Sequence, residues 1–510
     1  MTPANVSAPG TPSRTRIILI LALIVALFAA RNLPWHLDDY DQAKQAFVSF
    51  EMVQDGQWWF QHTPSGHIAT KPPLAGWISC ALYSVVRNWE LAWRLPSFLC
   101  AAILAVMLWR SAYALAGGIA PLIAVCAFAF NLTAPRLATL VRTDMMLTLF
   151  IFITGWLALE KVRTGTAWTS RERLALGLAV LASMLTKGPI LYAFLLPGLA
   201  AFAWLMRHRG TANRAWAGWL PWFAPLLVFA VWVGIGVWLS RDFYEQVVLR
   251  EFLGRFDIGD APIHKHQPLL FYAGHLFGKI WAPWSLVLAA LSAVLCFPQT
   301  IRVLRSRQWT DTLRSAKKES RQTLRADPAL LWLACWALGG FVFMSLVPSK
   351  RPDRVFPVIP PLCLLLAVLA QRWSAASHRR QRMLFGIVAL AAVMSCGYAI
   401  FSIVNDTRHD ARALVRFGAR VQQITAAHPE RLTVGGAKDE GLLLYTGRTR
   451  FVPMDDAIES WRRGEIDWLL IREKDLREYR DELATAPRLL EVPALKGKQS
   501  PYYLLQRPAL

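Results

Sequence analysis

From residue 17 to residue 404 the chain alternates long apolar runs with short polar breaks. Runs of this length and purity predict membrane-spanning helices. Eleven candidate spans follow from apolar length: 17–34, 92–115, 119–136, 144–160, 174–187, 189–206, 216–240, 277–297, 329–347, 355–371 and 384–404. A further apolar stretch, 72–88, is expected to lie at the outer interface or to be re-entrant. Beyond residue 404 the pattern changes. "RLTVGGA", "TRFVP", "IDWLLIRE" and "YYLLQRP" read as short strands. "DTRHDARALVRFGARVQQITAA", "DAIESWRRG" and "KDLREYRDELAT" read as helices opened by Asp or Lys-Asp. The expected fold is a polytopic α-helical membrane protein over 1–404, followed by a small extracytoplasmic α/β domain over 405–510.

Composition agrees with a membrane class. Of 510 residues, 55% are hydrophobic and 23 are tryptophan. The first run, Ile17 to Arg31, follows Arg14 and Arg16 as a signal peptide would, but no small-residue cleavage site follows it. It is expected to stay as the first helix. The net charge of +22 would suit nucleic acid if it formed one face, but it is scattered through short loops between apolar runs. The loops 161–173, 207–214, 298–327 and 371–382 carry four, three, eight and four basic residues. With eleven spans they share one side, which the positive-inside rule makes cytoplasmic. The opposite side receives residues 36–47, loop 241–276, the turn at 348–354 and the C-terminus. Residues 405–510 are nearly balanced, with 18 basic and 16 acidic side chains. All seven cysteines fall in apolar runs and none forms a CxxC, so neither a disulfide framework nor a cysteine metal site is expected.

The candidate chemistry gathers on the outer side. "HLDDYDQAKQAF" places Asp38, Asp39 and Asp41 directly after the first span. Two readings stand. The aspartates cap the next helix, or Asp38 and Asp39 supply a general base at the membrane surface, where apolar surroundings raise a carboxylate's proton affinity. "TKPPLAGW" puts Lys71 just before a proline-led helix start, which suits either an anion site or a snorkelling lysine. "LVRTDMML" places Arg142 and Asp144 between two apolar runs, and "LTKGP" places Lys187 in a Gly-Pro turn. "PSKRPDR" sets Lys350, Arg351 and Arg354 outside, against the positive-inside trend. Several such cations together point to one anionic ligand, and a lipid phosphate fits a site at this depth. His264, His266 and His275 in the outer loop read as interfacial side chains or as two thirds of a metal site without a firm third ligand.

These motifs, in this order, are familiar. The acidic pair, then "EMVQDGQWW", "KPPLAGW", "RTDMMLT", "LTKGP" and "PSKRPDRVFPVIPP" resemble the GT-C membrane glycosyltransferases over roughly residues 15–370. Within them, the likeness is to the group holding protein O-mannosyltransferases and lipid A aminoarabinose transferases. That resemblance implies a bacterial inner-membrane enzyme moving a sugar from a polyprenyl-phosphate carrier on the periplasmic face. The acceptor would be a hydroxyl of lipid A, another glycan or a protein. It implies Asp38 or Asp39 as catalytic base and Lys71 on the carrier phosphate, with Asp144 and the Lys350–Arg351 turn lining the cavity. The lysine of this motif usually follows a glutamate tied to a proposed divalent-metal site. Thr70 stands there instead, so no metal and no other cofactor is carried over. No Gly-rich phosphate loop is present. The rival reading is a lipid-linked sugar transporter or flippase, whose ionisable groups would sit near the midplane within internal repeats. Here they cluster at one face, and no repeat is visible.

Overall fold

The structure, a computed structural model, describes residues 13–37, 40–207, 212–253, 267–296, 326–436, 439–492 and 501–508. Asp38, Asp39, His264 and His266 lie outside these, as does nearly all of loop 298–327.

The helices up to the first long break are α1 (Arg14–Ala30), α2 (Tyr40–Gln54), α3 (Leu74–Val86), α4 (Trp89–Ala116), α5 (Ala120–Ala129), α6 (Ala134–Thr139), α7 (Asp144–Thr164), α8 (Ser170–Lys187), α9 (Leu191–Met206) and α10 (Leu220–Leu239). Next come α11 (Arg241–Phe243), continued by a π-helical stretch Tyr244–Phe252, and α12 (Phe271–His275), which runs through a π turn Leu276–Ile280 toward α13 (Trp284–Cys296). The last spans are α14 (Pro328–Leu346), α15 (Ile359–Ser374) with a 3-10 lead Pro352–Val358, and α16 (His378–Arg408). Their starts follow local chemistry. Asn88 accepts from the Leu91 amide at α4, Asp327 accepts from Ala329 and Leu330 at α14, and Thr169 forms a reciprocal capping box with Glu172 at α8.

Among the described residues, six helices are long and apolar enough to cross a membrane: α4, α7, α10, α14, α15 with its lead, and α16. A seventh appears if the pair α12–α13, bent by 108°, counts as one span. Eleven were expected, and the other four expected runs are shorter or broken helices. The run 119–136 is not one rod, because helix α5 stops after Ala129. At the break the Asn131 side chain donates to the carbonyls of Ala127 and Phe128 and accepts from the amides of Thr133 and Ala134. One amide thus replaces the lost helical bonds. The Trp281 and Trp284 indoles reach the same bend, donating to the Ala127 and Phe130 carbonyls at 2.9 and 2.7 Å. The runs 17–34, 174–187 and 189–206 are helical as α1, α8 and α9, of 17, 18 and 16 residues. Helix α3 has 13 residues. At about 1.5 Å each it is too short to cross, in keeping with an interfacial or re-entrant place for 72–88.

Helices α9 and α14 meet backbone to backbone. A Cβ added to Gly339 would fall 2.5 Å from the Gly198 nitrogen, and one on Gly198 would fall 2.8 Å from the Cys335 carbonyl oxygen. Only glycine permits that approach.

The last span runs to Arg408, past the expected boundary at 404. Beyond it come α17 (Ala413–Ile424), β1 (Leu432–Val434), α18 (Glu440–Thr446), α19 (Met454–Arg463), β2 (Trp468–Arg472), α20 (Glu473–Glu478), α21 (Arg480–Leu483), β3 (Arg488–Val492) and β4 (Tyr502–Gln506). The sheet order is β1-β2-β4-β3, with β1 parallel to β2 and the other pairs antiparallel. "TRFVP" forms only an isolated bridge through Val452, while β3 and α18 were not read from the sequence. Alternation along β2 and β4 splits the core. Leu470 and Leu504 face one side, and Leu469, Ile471, Tyr503 and Leu505 face the other, against α19.

The first of those faces continues into the membrane part. Leu37, Ala43, Ala46, Phe47 and Phe50 share one apolar cluster with Leu414, Phe417, Leu442 and Leu443. Polar links frame it. Tyr445 Oη donates to Glu90 Oε1 at 2.8 Å, Glu90 holds Arg94, and Arg94 Nη2 donates to the His36 carbonyl at 3.3 Å. Arg450 pairs with the fully buried Glu51 at 2.8 Å.

Candidate functional site

Helix ends and turns converge on one cavity of about 260 Å³. Helix α2 brings Tyr40, Asp41 and Lys44 to the cavity, Lys44 lying four and three positions after the other two and so on their side of the helix. The turn into α3 brings Thr70 and Lys71, and the connection into α7 brings Arg142, Thr143 and Asp144. Lys187 is the last residue of α8, where Gly188 at φ 75° ends the helix. Gln246 and Arg250 come from the π-helical stretch, and Arg351, Asp353 and Arg354 from the turn after α14. The Ile68 amide donates to Asp242 at 2.7 Å, which braces the segment leading to Lys71.

Among the described residues, seven cations face three carboxylates across this space. The carboxylates are spoken for. Asp41 Oδ2 lies 2.6 Å from Arg351 and 3.0 Å from Arg142; Asp353 lies 3.2 Å from Arg142. Asp144 Oδ1 lies 2.5 Å from Lys187 Nζ. Lys71 forms no hydrogen bond or ion pair among the described residues. Crowding by protein atoms, and next the charge of Lys187, bring its ammonium down to about 7, against the pull of Asp144. Burial alone would raise the Asp41 carboxyl, but the Arg351 hydrogen bond and the charges of Arg142, Arg351 and Lys71 hold it below the usual carboxylate range.

The residues singled out in the sequence divide accordingly. Lys71, Arg142, Asp144, Lys187, Arg351 and Arg354 line one cavity. Lys350 does not. It is buried with its ammonium donating to the Gln267 carbonyl at 3.0 Å, so it ties the loop before α12 to the turn after α14. His275 also stays out, its Nδ1 on the Phe271 carbonyl at 2.8 Å. Asp38 and Asp39, and the loop pair His264 and His266, fall outside the described residues. Asp41, Lys44, Arg250 and Asp353 line the cavity without having been singled out for chemistry. Asp41 and Lys44 carried a signal, since their spacing puts both on one helical face. Arg250 carried none.

Among the described residues no group of three His, Cys, Asp or Glu side chains is placed to hold a metal ion. Thr70 lines the cavity where the resemblance would put a glutamate, and the lining donors are mostly cations. This set of described residues does not fit a divalent ion.

The fold is shared with two solved structures of one membrane protein. It superposes on the crystal structure of ArnT from Cupriavidus metallidurans bound to undecaprenyl phosphate with a TM-score of 0.71 and 17% identity, covering 98% of this chain and 99% of that one. The apo state of that protein gives 0.65 and 18% identity, over 97% and 98%. Residues 70–238 match the dolichyl-phosphate-mannose-protein mannosyltransferase family. In sequence the chain is 25% identical over 375 residues to the undecaprenyl phosphate-alpha-4-amino-4-deoxy-L-arabinose arabinosyl transferase 1 of Pseudomonas fluorescens, covering 69% of this chain and 58% of that protein. It is 27% identical over 376 residues to the corresponding transferase of Pseudomonas aeruginosa, covering 71% and 61%. The chain thus spans about six tenths of the length of these curated relatives.

Proposed function

We propose that this chain is a membrane glycosyltransferase that moves a sugar from a polyprenyl-phosphate carrier to a hydroxyl of lipid A, another glycan or a protein at the periplasmic face. The observation that carries the reading is the cavity's charge: among the described residues, seven cations over three paired carboxylates, with Lys71 making no ion pair there, in a fold solved elsewhere with undecaprenyl phosphate bound. The names of the relatives favour undecaprenyl phosphate as carrier and aminoarabinose as sugar.

The chemistry follows from the donors. The acceptor oxygen attacks the sugar's anomeric carbon, and the bond to the carrier phosphate breaks with its electron pair going to phosphate. Lys71, Arg351 and Arg354 stabilise the charge that grows there. A carboxylate of the acidic segment, Asp41 or its neighbours Asp38 and Asp39, takes the acceptor's proton. Before the carrier arrives, Asp41 is held by two arginines and is a weak base. A phosphate that engages Arg351 and Arg142 loosens both pairs and raises the carboxylate's basicity.

The test is turnover. Purified protein in lipid vesicles, given undecaprenyl-phosphate-linked aminoarabinose and lipid A, should release undecaprenyl phosphate and yield a modified acceptor. Absence of acceptor-dependent release across lipid, glycan and protein hydroxyls, with the protein correctly inserted, overturns the reading. Carrier crossing the bilayer unchanged would replace it with the transporter.

A further inference from the structure

Helix α2 presents two faces. One carries Tyr40, Asp41 and Lys44 to the cavity, and the other packs Ala43, Ala46, Phe47 and Phe50 toward the C-terminal domain. Helix α18 of that domain starts against the chain leading into α2. A Cβ added to Gly441 would fall 2.5 Å from the Leu37 carbonyl oxygen. Glu440, the first residue of α18, is 7% exposed, and its Oε2 has no hydrogen-bond partner. A buried carboxylate in that condition needs a compensating charge.

The cation whose charge reaches it is Lys44, on the helix that α18 packs against. Among the described residues Lys44 forms no hydrogen bond or ion pair, and its ammonium lies 5.9 Å over the Tyr40 ring. Among the other charges around Lys44, Asp41 also favours the ammonium, but it is the weaker of the two carboxylates acting there. Asp41 is committed to Arg351 and Arg142, and Arg250 and Lys71 carry the same sign. Around Glu440 stand Asp439, Tyr40 and Tyr502, none of them cationic.

We propose that Glu440 is a positioning residue supplied by the C-terminal domain, which keeps the Lys44 ammonium charged on the cavity wall, so that docking of that domain sets the anion affinity of the site. Burial pushes the Lys44 ammonium down from its ordinary range, and Glu440 is the first of the charges opposing that fall. Burial, and then Asp439, push the Glu440 carboxyl up to about 7. Above that pH it is ionised, which is where Lys44 needs support to keep its proton.

This inference rests on the transferase reading only for its ligand, and the experiment separates the two. In the full-length protein, acetylation of Lys44 by acetic anhydride is followed across pH by peptide mass spectrometry. Glu440→Gln should lower the labelling midpoint of Lys44 by about one pH unit, the scale of a lost opposite charge at close range. Undecaprenyl phosphate should bind this variant as it binds wild type near about pH 6, and about 3- to 10-fold more weakly near about pH 8.5. Lys44→Arg, which holds its proton without help, should restore binding in the Glu440→Gln background. An unchanged midpoint overturns the proposal, as does a binding loss that Lys44→Arg fails to rescue. Should Glu440→Gln loosen the domain, Glu440→Asp decides. A charge role leaves its Lys44 midpoint near wild type, whereas a merely structural glutamate shows the same midpoint in both variants. Failure of wild type to bind undecaprenyl phosphate would sink the transferase reading, while the labelling shift would still decide this one.

Discussion

Lys187 Nζ stands 2.5 Å from Asp144 Oδ1, joining the last residue of α8 to the first of α7. Both side chains are mostly buried, at 14% and 6% exposure. Removing one partner strands the other charge away from water. Asp144→Asn or Lys187→Met should therefore each cost about 3–5 kcal/mol, read as a fall in unfolding midpoint of the solubilised protein. The double variant should recover part of that loss. Equal midpoints for wild type and both single variants would show that the pair contributes nothing.

Lys71 titrates where cells live. With its ammonium near about 7, it is charged below that pH and neutral above it. Undecaprenyl phosphate should therefore bind best below pH 7 and lose affinity as the pH rises through it, until the bound phosphate itself holds the proton on. Lys71→Arg should flatten that profile, and Lys71→Ala should weaken binding throughout. Affinity independent of pH in wild type would contradict this.

The choice of base is open to direct comparison. Asp38→Asn, Asp39→Asn and Asp41→Asn remove charge at nearly constant size, so a loss reports basicity rather than packing. Asp41 is the member whose carboxylate reaches the cavity wall among the described residues. Asp41→Asn should lower turnover by about 10²–10⁴-fold while carrier binding persists. Near-native turnover in that variant would pass the role to its two neighbours.

Truncation after Arg408 should bare Leu37, Phe47 and Phe50, which the C-terminal domain covers. The face of α2 opposite the cavity would then meet water or lipid headgroups. Carrier binding should stay measurable and sugar transfer should weaken, because Asp41 and Lys44 ride on that helix. Full transfer by the truncated chain would show that the domain is dispensable for the site.

Sidedness is checked by cysteine labelling. Single cysteines in 161–173 and 371–382 should resist impermeant reagents in intact cells, and those in 454–463 should react, given the Lys/Arg asymmetry. The reverse pattern would invert the orientation.

Much of the membrane part was readable because long apolar runs have few alternatives. Lys71, Arg142, Asp144, Lys187, Arg351 and Arg354 stood out because each is a polar group at the end of such a run. Lys350 stood out for the same reason, yet it turns to the Gln267 carbonyl. A turn's sequence places its charges at the membrane edge but does not aim them. Arg250 was invisible, since its side chain bonds to Gln246 one turn away and nothing local marks the distant residues with which it lines the cavity. The break at Asn131 was missed because the run 119–136 was judged by its apolar length, although Asn131, Thr133 and Pro135 interrupt it, and the side-chain amide shows where backbone bonds are lost. In the C-terminal domain β3 escaped notice because "RLLEV" is short and carries charges at Arg488 and Glu491, and its pairing with β4 decides its state.

The seam between α9 and α14, closed by Gly198 against Gly339, bears on traffic as well as packing. A hydrocarbon chain is about 4 Å across, wider than any gap between backbones already in contact. A long isoprenoid tail has no passage between those two helices. Whatever lipid delivers its headgroup to the cavity must slide in from another quarter of the bundle. A bulkier residue at either glycine would prise the two rods apart and turn a sealed wall into a slot.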